Sequence, residues 1–487
     1  MEIIAAIDPV TRIEGHLKVQ VTIDSVDNTH RVTDARASGT LFRGFEKLLV
    51  GRAPRDAQHI TERICGICPV AHGMAAVRAL DAAWHAHIPT NGRILRNLVA
   101  AANILDSNIL HFYLLALPDF FDGPGKGPWR PTWPVDKRFA ENEAGELLEN
   151  YRRAIAVRRL AHEVGALFGG RMPHPPAFIP GGFTANPRPE RIADARKKLT
   201  EILAFTASTY LADVERIAER YPDYANIGTG HGDLIAFGAF PLDDAEDQRL
   251  FTSGRRLAGG KDLLPLQPEA ITEEIRFAWY ADNTSKRHPT DGKTEPVKPK
   301  PDAYSWLKSP RHNGLPMETG PLARMVISGR YPFQTSVLDR LRARAQETRL
   351  IAEQCLQWLD QLTPNGPVYQ KPDMPETAEG VGMTEAPRGA LGHWLHIEKG
   401  RIAHYQIITP TTWNAGPRDD QDVPGPLEQA LIGTTIQNPD QPIEVLRIIH
   451  SMDPCLDCAV HTMTPGEAGP KIVSLLQPNG SSAGAIQ

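Results

Sequence analysis

The sequence predicts a mainly α protein of the α+β kind, with long buried helices and small β elements near both termini. Three observations point there. Long stretches carry apolar residues at helical spacing with no proline in their interiors. Both ends of the chain show short runs of alternating apolar and polar residues. The 40 glycines and 42 prolines exceed the usual share of roughly 12 %, without reaching disorder-like levels. Helices set among ordered, irregular segments are expected.

In order, Ile3 to Ser25 alternates around a turn at Glu14-Gly15 and reads as a hairpin. Arg43 to Val50 and Arg55 to Arg63 read as short helices. Pro69 suits a first helical turn, and the alanine-rich run Val70 to His85 continues it. Cys68 and His72 then share one helix face. Arg93 to Leu117 reads as a long apolar helix stopped by Pro118, and Glu143 to Phe168 as another stopped by Gly169-Gly170. Pro189 to Tyr221 and Tyr331 to Leu362 read as two more. Residues 222–320 are short strand-like runs, and their charged part, Asp282 to Asp302, reads as a solvated surface excursion. The last part of the chain reads as strands and turns, then a helix leading to a cysteine pair.

At 487 residues the chain has material for two or three ordinary domains or one large one. A net charge of −5 leaves no electrostatic footprint for nucleic acid. Met1-Glu2-Ile3-Ile4 lacks the basic and apolar regions of a signal peptide. No window holds 18 uninterrupted apolar residues. The chain is expected to have no transmembrane segment of its own and to reach a membrane, or be exported, only with a partner.

Four of the five cysteines stand in two C-x-x-C pairs at opposite ends, Cys65 with Cys68 and Cys455 with Cys458. Two thiolates at that spacing grip one metal ion from one side, and two such pairs surround it. A four-cysteine structural zinc site is the plain alternative. Zinc pairs usually lie within a few tens of residues of each other, so this separation favours a catalytic or redox metal.

The flanking residues sharpen the reading. Arg63-x-Cys65-Gly66-x-Cys68-x-x-x-His72 and Asp453-Pro454-Cys455-x-x-Cys458-x-x-His461 resemble the paired signatures of the large subunit of nickel–iron hydrogenases. Thr11 to His16, Arg43-Gly44-Phe45-Glu46, Gly51 to Thr61, His111-Phe112-Tyr113, Pro310 to Arg324, Ala386-Pro387-Arg388-Gly389 and Thr412 to Asp419 agree over nearly the whole length.

The resemblance implies a nickel–iron centre with carbon monoxide and cyanide on iron, and reversible heterolytic cleavage of dihydrogen. Cys65, Cys68, Cys455 and Cys458 would hold nickel, with Cys68 and Cys458 shared with iron. Cys455 would take the proton and Glu14 would pass it on. Arg388, held by Asp106 and Asp453, would lie over the open metal site. Arg388, Pro410 and Thr411 would line the cyanide ligands. Glu46, the carbonyl of Ile407 and His461 would hold a structural magnesium.

Only Cys355 remains outside the pairs, so electrons would have to leave through a separate iron–sulfur small subunit. A heterodimer, or a dimer of heterodimers, is implied. One domain would span 1–461, and 462–487 would be an extension removed after His461 by a maturation endopeptidase, once nickel-insertion chaperones have acted. The compartment stays open between the cytoplasm, a membrane reached through partners, and the periplasm reached by co-export. A dihydrogen-sensing regulatory subunit is the alternative function. The related quinone-reducing subunit of respiratory complex I lacks the four cysteines, which argues against it. Two positions depart from the family pattern. Leu114 stands where a second histidine often follows His111-Phe112-Tyr113, and Ile67 is bulkier than the usual valine.

Overall fold

The computed structural model describes residues 2–27, 29–130 and 133–459, and only the backbone of Cys458 and Ala459. Its body is helical. α1 (Phe45–Leu49) and α2 (Asp56–Thr61) lead into the first cysteine pair, and α3 (Pro69–Ala83) leaves from it. There follow α4 (Thr90–Leu110), α5 (Glu141–Gly169), α6 (Pro189–Phe205), α7 (Leu211–Arg220), α8 (Pro321–Ile327) and α9 (Val337–Gln361). α10 (Pro410–Ala415), α11 (Pro426–Leu431), α12 (Ile443–Met452) and α13 (Leu456–Ala459) carry the chain to the second pair.

α4 is buried on every face and packs against α5 and α9. Its buried polar residues are paired there, Arg96 with Asp81 at 2.7 Å and Asn108 with Glu347 at 3.0 Å. The stretch Thr90–Asp119 is long and apolar enough to cross a membrane, yet most of it is buried inside the protein. The expected stop at Pro118 is close: α4 continues through a wide turn at His111–Ala116 and ends in a tight one at Leu117–Asp119. α6 and α7 form the single helix expected from Pro189, joined by another wide turn at Thr206–Tyr210. α9 begins later than expected, at Val337, because the Ser336 side chain accepts from the Asp339 backbone and caps the helix there.

Strand content is larger than the sequence reading gave. β1 (Glu2–Ile7), β2 (Leu17–Val26) and β3 (Thr29–Gly39) form an antiparallel sheet that Thr435–Ile436 extends beyond β3. β1 and β2 pair as the hairpin reading expected, but no tight turn joins them. Residues 8–16 instead form a loop that reaches the metal centre. A second antiparallel sheet is made by Ala378–Ala386, Gly389–Glu398 and Arg401–Ile408.

α3 lies directly on that second sheet. A Cβ at Gly380 would stand 2.0 Å from the Ala79 carbonyl oxygen, and one at Gly382 would stand 1.9 Å from that of Ala75. Glycines on the strand and alanines on the helix therefore let the two backbones touch. This contact fixes the helix whose first residue follows Cys68.

The stretch Asp282 to Asp302 is not simply a solvated excursion. Lys300 is largely buried and donates to the carbonyls of Ile275 and Tyr280, at 2.7 and 2.9 Å. The Thr294 hydroxyl donates to the buried carboxylate of Glu46. Charge density suggested exposure, but the long lysine stem and the threonine find buried acceptors.

Candidate metal centre

Cys65 follows a tight turn at Glu62–Ile64, and Cys68 is the N-cap of α3 with Pro69 in its first turn. The backbone N–H groups of Ile67 and Cys68 each approach Cys65 Sγ at 3.3 Å. Such donors, with a helix N-terminus alongside, favour thiolates over thiols. Asn103 on α4 donates to the Ile67 carbonyl at 2.9 Å and so holds the middle of the pair.

The second pair arrives from α12, whose C-cap Asp453 adopts the left-handed conformation (φ 53°). Cys455 then pairs in parallel with Glu14, and the Leu456 N–H donates to the Glu14 carbonyl at 2.7 Å. Gly15 lies so close to α13 that a Cβ there would stand 2.5 Å from the Asp457 nitrogen, and its φ of +78° suits glycine. The sulfurs of Cys65 and Cys455 lie 3.4 Å apart. The sulfurs of Cys65, Cys68 and Cys455 all lie within 4.8 Å of one another, and all three residues are buried. Cys458 follows in α13; its side chain lies outside the described residues, as does His461.

Arg388 is fully buried at the tip of the hairpin between Ala378–Ala386 and Gly389–Glu398. Its Nη2 lies 2.9 Å from Asp453 Oδ1. Burial opposes the charge, but Asp453 and the thiolates of Cys455, Cys68 and Cys65 outweigh it and hold the guanidinium firmly protonated. Asp453 is shared: its Oδ2 lies 3.1 Å from Arg344 Nη1. Both contacts are close in distance but off the hydrogen-bond axis. Nε and Nη2 of Arg388 have no hydrogen-bond acceptor among the described residues.

Asp106 does not hold Arg388, and this corrects the sequence reading. Its carboxylate lies 2.6 Å from Arg158 Nε and 3.0 Å from His162 Nε2, both on α5. The neighbouring Ser107 faces the guanidinium instead, with its Oγ 3.4 Å from Arg388 Nη1. One residue along a helix turns the side chain by about 100°, which takes Asp106 to the α5 side.

Glu14 is half-buried in the loop between β1 and β2. Burial, then the negative charge of Cys65 and that of Asp457, push its carboxyl up to about 7, against the pull of Arg388. An acid poised near neutrality beside a thiolate suits proton transfer. Thr411 is buried, and its Oγ1 accepts the Cys455 backbone N–H at 2.9 Å. Its hydroxyl proton is thus left to donate elsewhere.

Three buried supports escaped the sequence reading. Arg324 grips Glu347 at 2.6 and 2.9 Å, Glu385 at 2.8 Å, and the carbonyls of Ala386 and Pro387 at 2.9 and 3.0 Å. It therefore fixes the hairpin tip that presents Arg388. His72 Nδ1 lies 3.2 Å from His393 Nε2, whose other nitrogen lies 2.8 Å from the Tyr405 hydroxyl. Burial pulls His72 down to about 4, so it works as a neutral ring. The third is the Asp119–His450 pair treated below. Arg324 and His72 stand inside motifs quoted from the sequence, but the supporting roles come from partners distant in the chain, which no local pattern announces.

Glu46 and Ile407 do come together: Glu46 Oε1 accepts the Ile407 N–H at 3.2 Å. Beside them, Glu273 accepts from Lys308 and Gln406, at 3.0 and 2.7 Å.

A nickel–iron centre fits these residues. Clustered thiolates are the donor set that soft metals require, and the unsatisfied N–H groups of Arg388 stand ready for an anionic ligand beside it.

Comparison with known proteins agrees. The family described as Nickel-dependent hydrogenase matches residues 43–124, 137–334 and 329–461, and one described as HoxL-like matches residues 5–38. The chain is 39 % identical to the periplasmic NiFeSe hydrogenase large subunit of Desulfomicrobium baculatum, over 94 % of this chain and 95 % of that one. It is 32 % identical to the hydrogenase-2 large chain of Escherichia coli, over 94 % and 97 %. The solved Ni-Fe-Se hydrogenase of D. vulgaris Hildenborough superposes with a TM-score of 0.90 at 39 % identity, over 95 % of this chain and 100 % of that one. This chain has cysteine at all four positions of its two pairs. The chain belongs to the large subunits of the nickel-dependent hydrogenases, oxidoreductases that act on dihydrogen.

Proposed function

We propose that this chain cleaves dihydrogen heterolytically and reversibly; Cys65, Cys68, Cys455 and Cys458 would hold nickel, and Cys68 and Cys458 would also serve as ligands to iron. The observation that carries this reading is the meeting of three buried sulfurs beside a buried guanidinium. When bound, the metal pair supplies the Lewis-acid and redox chemistry.

The protein's part is proton handling and orientation. Cys455 would act as the base that takes the proton once the metals are bound. Glu14, whose backbone is joined to Cys455 and Leu456, receives it and passes it outward. Its elevated affinity for protons lets it pick up and release near neutral pH. Arg388 supplies positive charge beside the reacting site in a water-poor pocket, where such charge counts for most. Arg388, Pro410 and Thr411 would line the cyanide ligands of iron.

Electrons leave to an iron–sulfur small subunit in a heterodimer. Glu46, the Ile407 carbonyl and His461 would hold a magnesium ion, two oxygens and one imidazole being completed by water around a hard octahedral cation. Residues 462–487 are removed by a maturation endopeptidase after nickel insertion. The 39 % identical relative named as periplasmic favours co-export with the partner.

The test is dihydrogen-dependent dye reduction by the heterodimer, with Glu14→Gln beside the natural chain. Turnover should fall by about a hundredfold while nickel and iron contents stay unchanged. Normal turnover in the variant would remove Glu14 from the route.

A further inference from the structure

Asp119 is 1 % exposed and takes an arginine and a histidine at once. Arg12 Nη2 donates to its Oδ1. His450 Nδ1 lies 2.5 Å from its Oδ2. The Arg12 Nη1 also donates to the Leu115 carbonyl at 2.7 Å. The other ring nitrogen of His450, Nε2, lies 2.9 Å from the Thr11 carbonyl. A carbonyl oxygen only accepts, so Nε2 carries a proton and donates. Burial opposes charge on Asp119, but Arg12 and His450 outweigh it and keep its carboxyl below the usual carboxylate range. Lys137 and Arg447 donate to the Asp119 carbonyl at 2.7 and 2.8 Å and close the cluster.

The cluster lies at the root of two segments that meet again at the metal centre. Thr11 and Arg12 immediately precede Ile13 and Glu14, and His450 lies in the last turn of the helix that leads to Cys455. Further on, the same segments are joined by Leu456 N–H to Glu14 carbonyl and by the pairing of Glu14 with Cys455. Residues 11–14 are thus tied to residues 450–456 at both ends, by side chains at the base and by backbone at the tip. Arg12 has a φ of 59°, a conformation that persists only where the surroundings hold it.

We infer that Asp119, gripping Arg12 and His450 together, is a positioning residue that sets where the Glu14 carboxyl stands relative to Cys455. The inference rests on the reading of Glu14 as the proton acceptor. A proton donor and acceptor shifted by a fraction of an ångström transfer more slowly, while binding of the gas is untouched.

The experiment uses the loaded heterodimer carrying Asp119→Asn, which keeps the volume but turns an acceptor into a donor facing His450 or Arg12. Turnover should fall by about tenfold, the KM for dihydrogen should not change, and the solvent deuterium isotope effect should rise. Unchanged turnover, or a raised KM with an unchanged isotope effect, would overturn the inference. Should Asp119→Asn lose its metals, Arg12→Lys decides: it keeps a cation beside Asp119 and loses the tie to Leu115, and the same split is expected. Metal loss in both variants would make the cluster a scaffold for loading, and the inference would fall. Glu14→Gln measured alongside separates the two failures, since normal turnover there removes the proton route itself, whatever Asp119 does.

Discussion

Arg388 Nη2 stands 2.9 Å from Oδ1 of Asp453, two residues before Cys455, and the thiolates of Cys455, Cys68 and Cys65 all act on its charge. The pair brings a guanidinium from one hairpin tip onto the second cysteine segment. A lysine at 388 would keep the charge but not the planar, multi-donor shape. Arg388→Lys should cut turnover by about a hundredfold with nickel and iron retained. Metal analysis with dye-reduction kinetics checks it.

Ser107 and Asp106 should behave oppositely. Asp106→Asn breaks contacts to Arg158 and His162 on α5, so it should lower stability by about 1–3 kcal/mol and leave turnover unchanged. Ser107→Ala removes the hydroxyl facing Arg388 and should change turnover with little effect on the melting temperature. Thermal unfolding and kinetics on both variants decide; the reverse pattern would restore Asp106 to the site.

Glu62 should make stability fall with rising pH. Burial pushes its carboxyl up to about 8, against the milder opposing influence of Gln58 and Arg63. A carboxyl raised in the folded state stabilises fully below its unfolded pKa of roughly 4 and loses that contribution as pH rises through the folded value of about 8. Glu62→Gln cannot ionise. The melting temperature of the variant should therefore decline less than that of the natural chain between pH 5 and 9, checked by calorimetry.

Ile67 packs against the cluster that holds Cys65, Cys68 and Cys455. One methylene fewer in a tight apolar passage eases the way for a small gas. Ile67→Val should speed carbon monoxide inhibition and its release, measured electrochemically. Unchanged rates would place the gas route elsewhere.

What the sequence disclosed followed from how local each signal is. The cysteine pairs are short, chemically unambiguous patterns, so Cys65, Cys68 and Cys455 could be placed at one site before any fold was known. Helices α5 and α9 were legible from periodicity and stops such as Gly170, whose N–H closes on the Ala166 carbonyl. The sheet of Ala378–Ala386, Gly389–Glu398 and Arg401–Ile408 was blurred, because Gly389–Glu398 is buried almost throughout and the residues of Ala378–Ala386 that touch α3 are glycines rather than an apolar row. The Asp106 expectation failed on a single helical step. Arg324 and His450 were invisible as supports, since their importance lies in partners brought from distant parts of the chain.

The infrared spectrum of the mature heterodimer, in the window where metal-bound carbon monoxide and cyanide absorb, tests the central claim most directly. Bands there that shift under dihydrogen are the predicted result. A silent window in protein freed of residues 462–487, with zinc found at the cysteines, would contradict it.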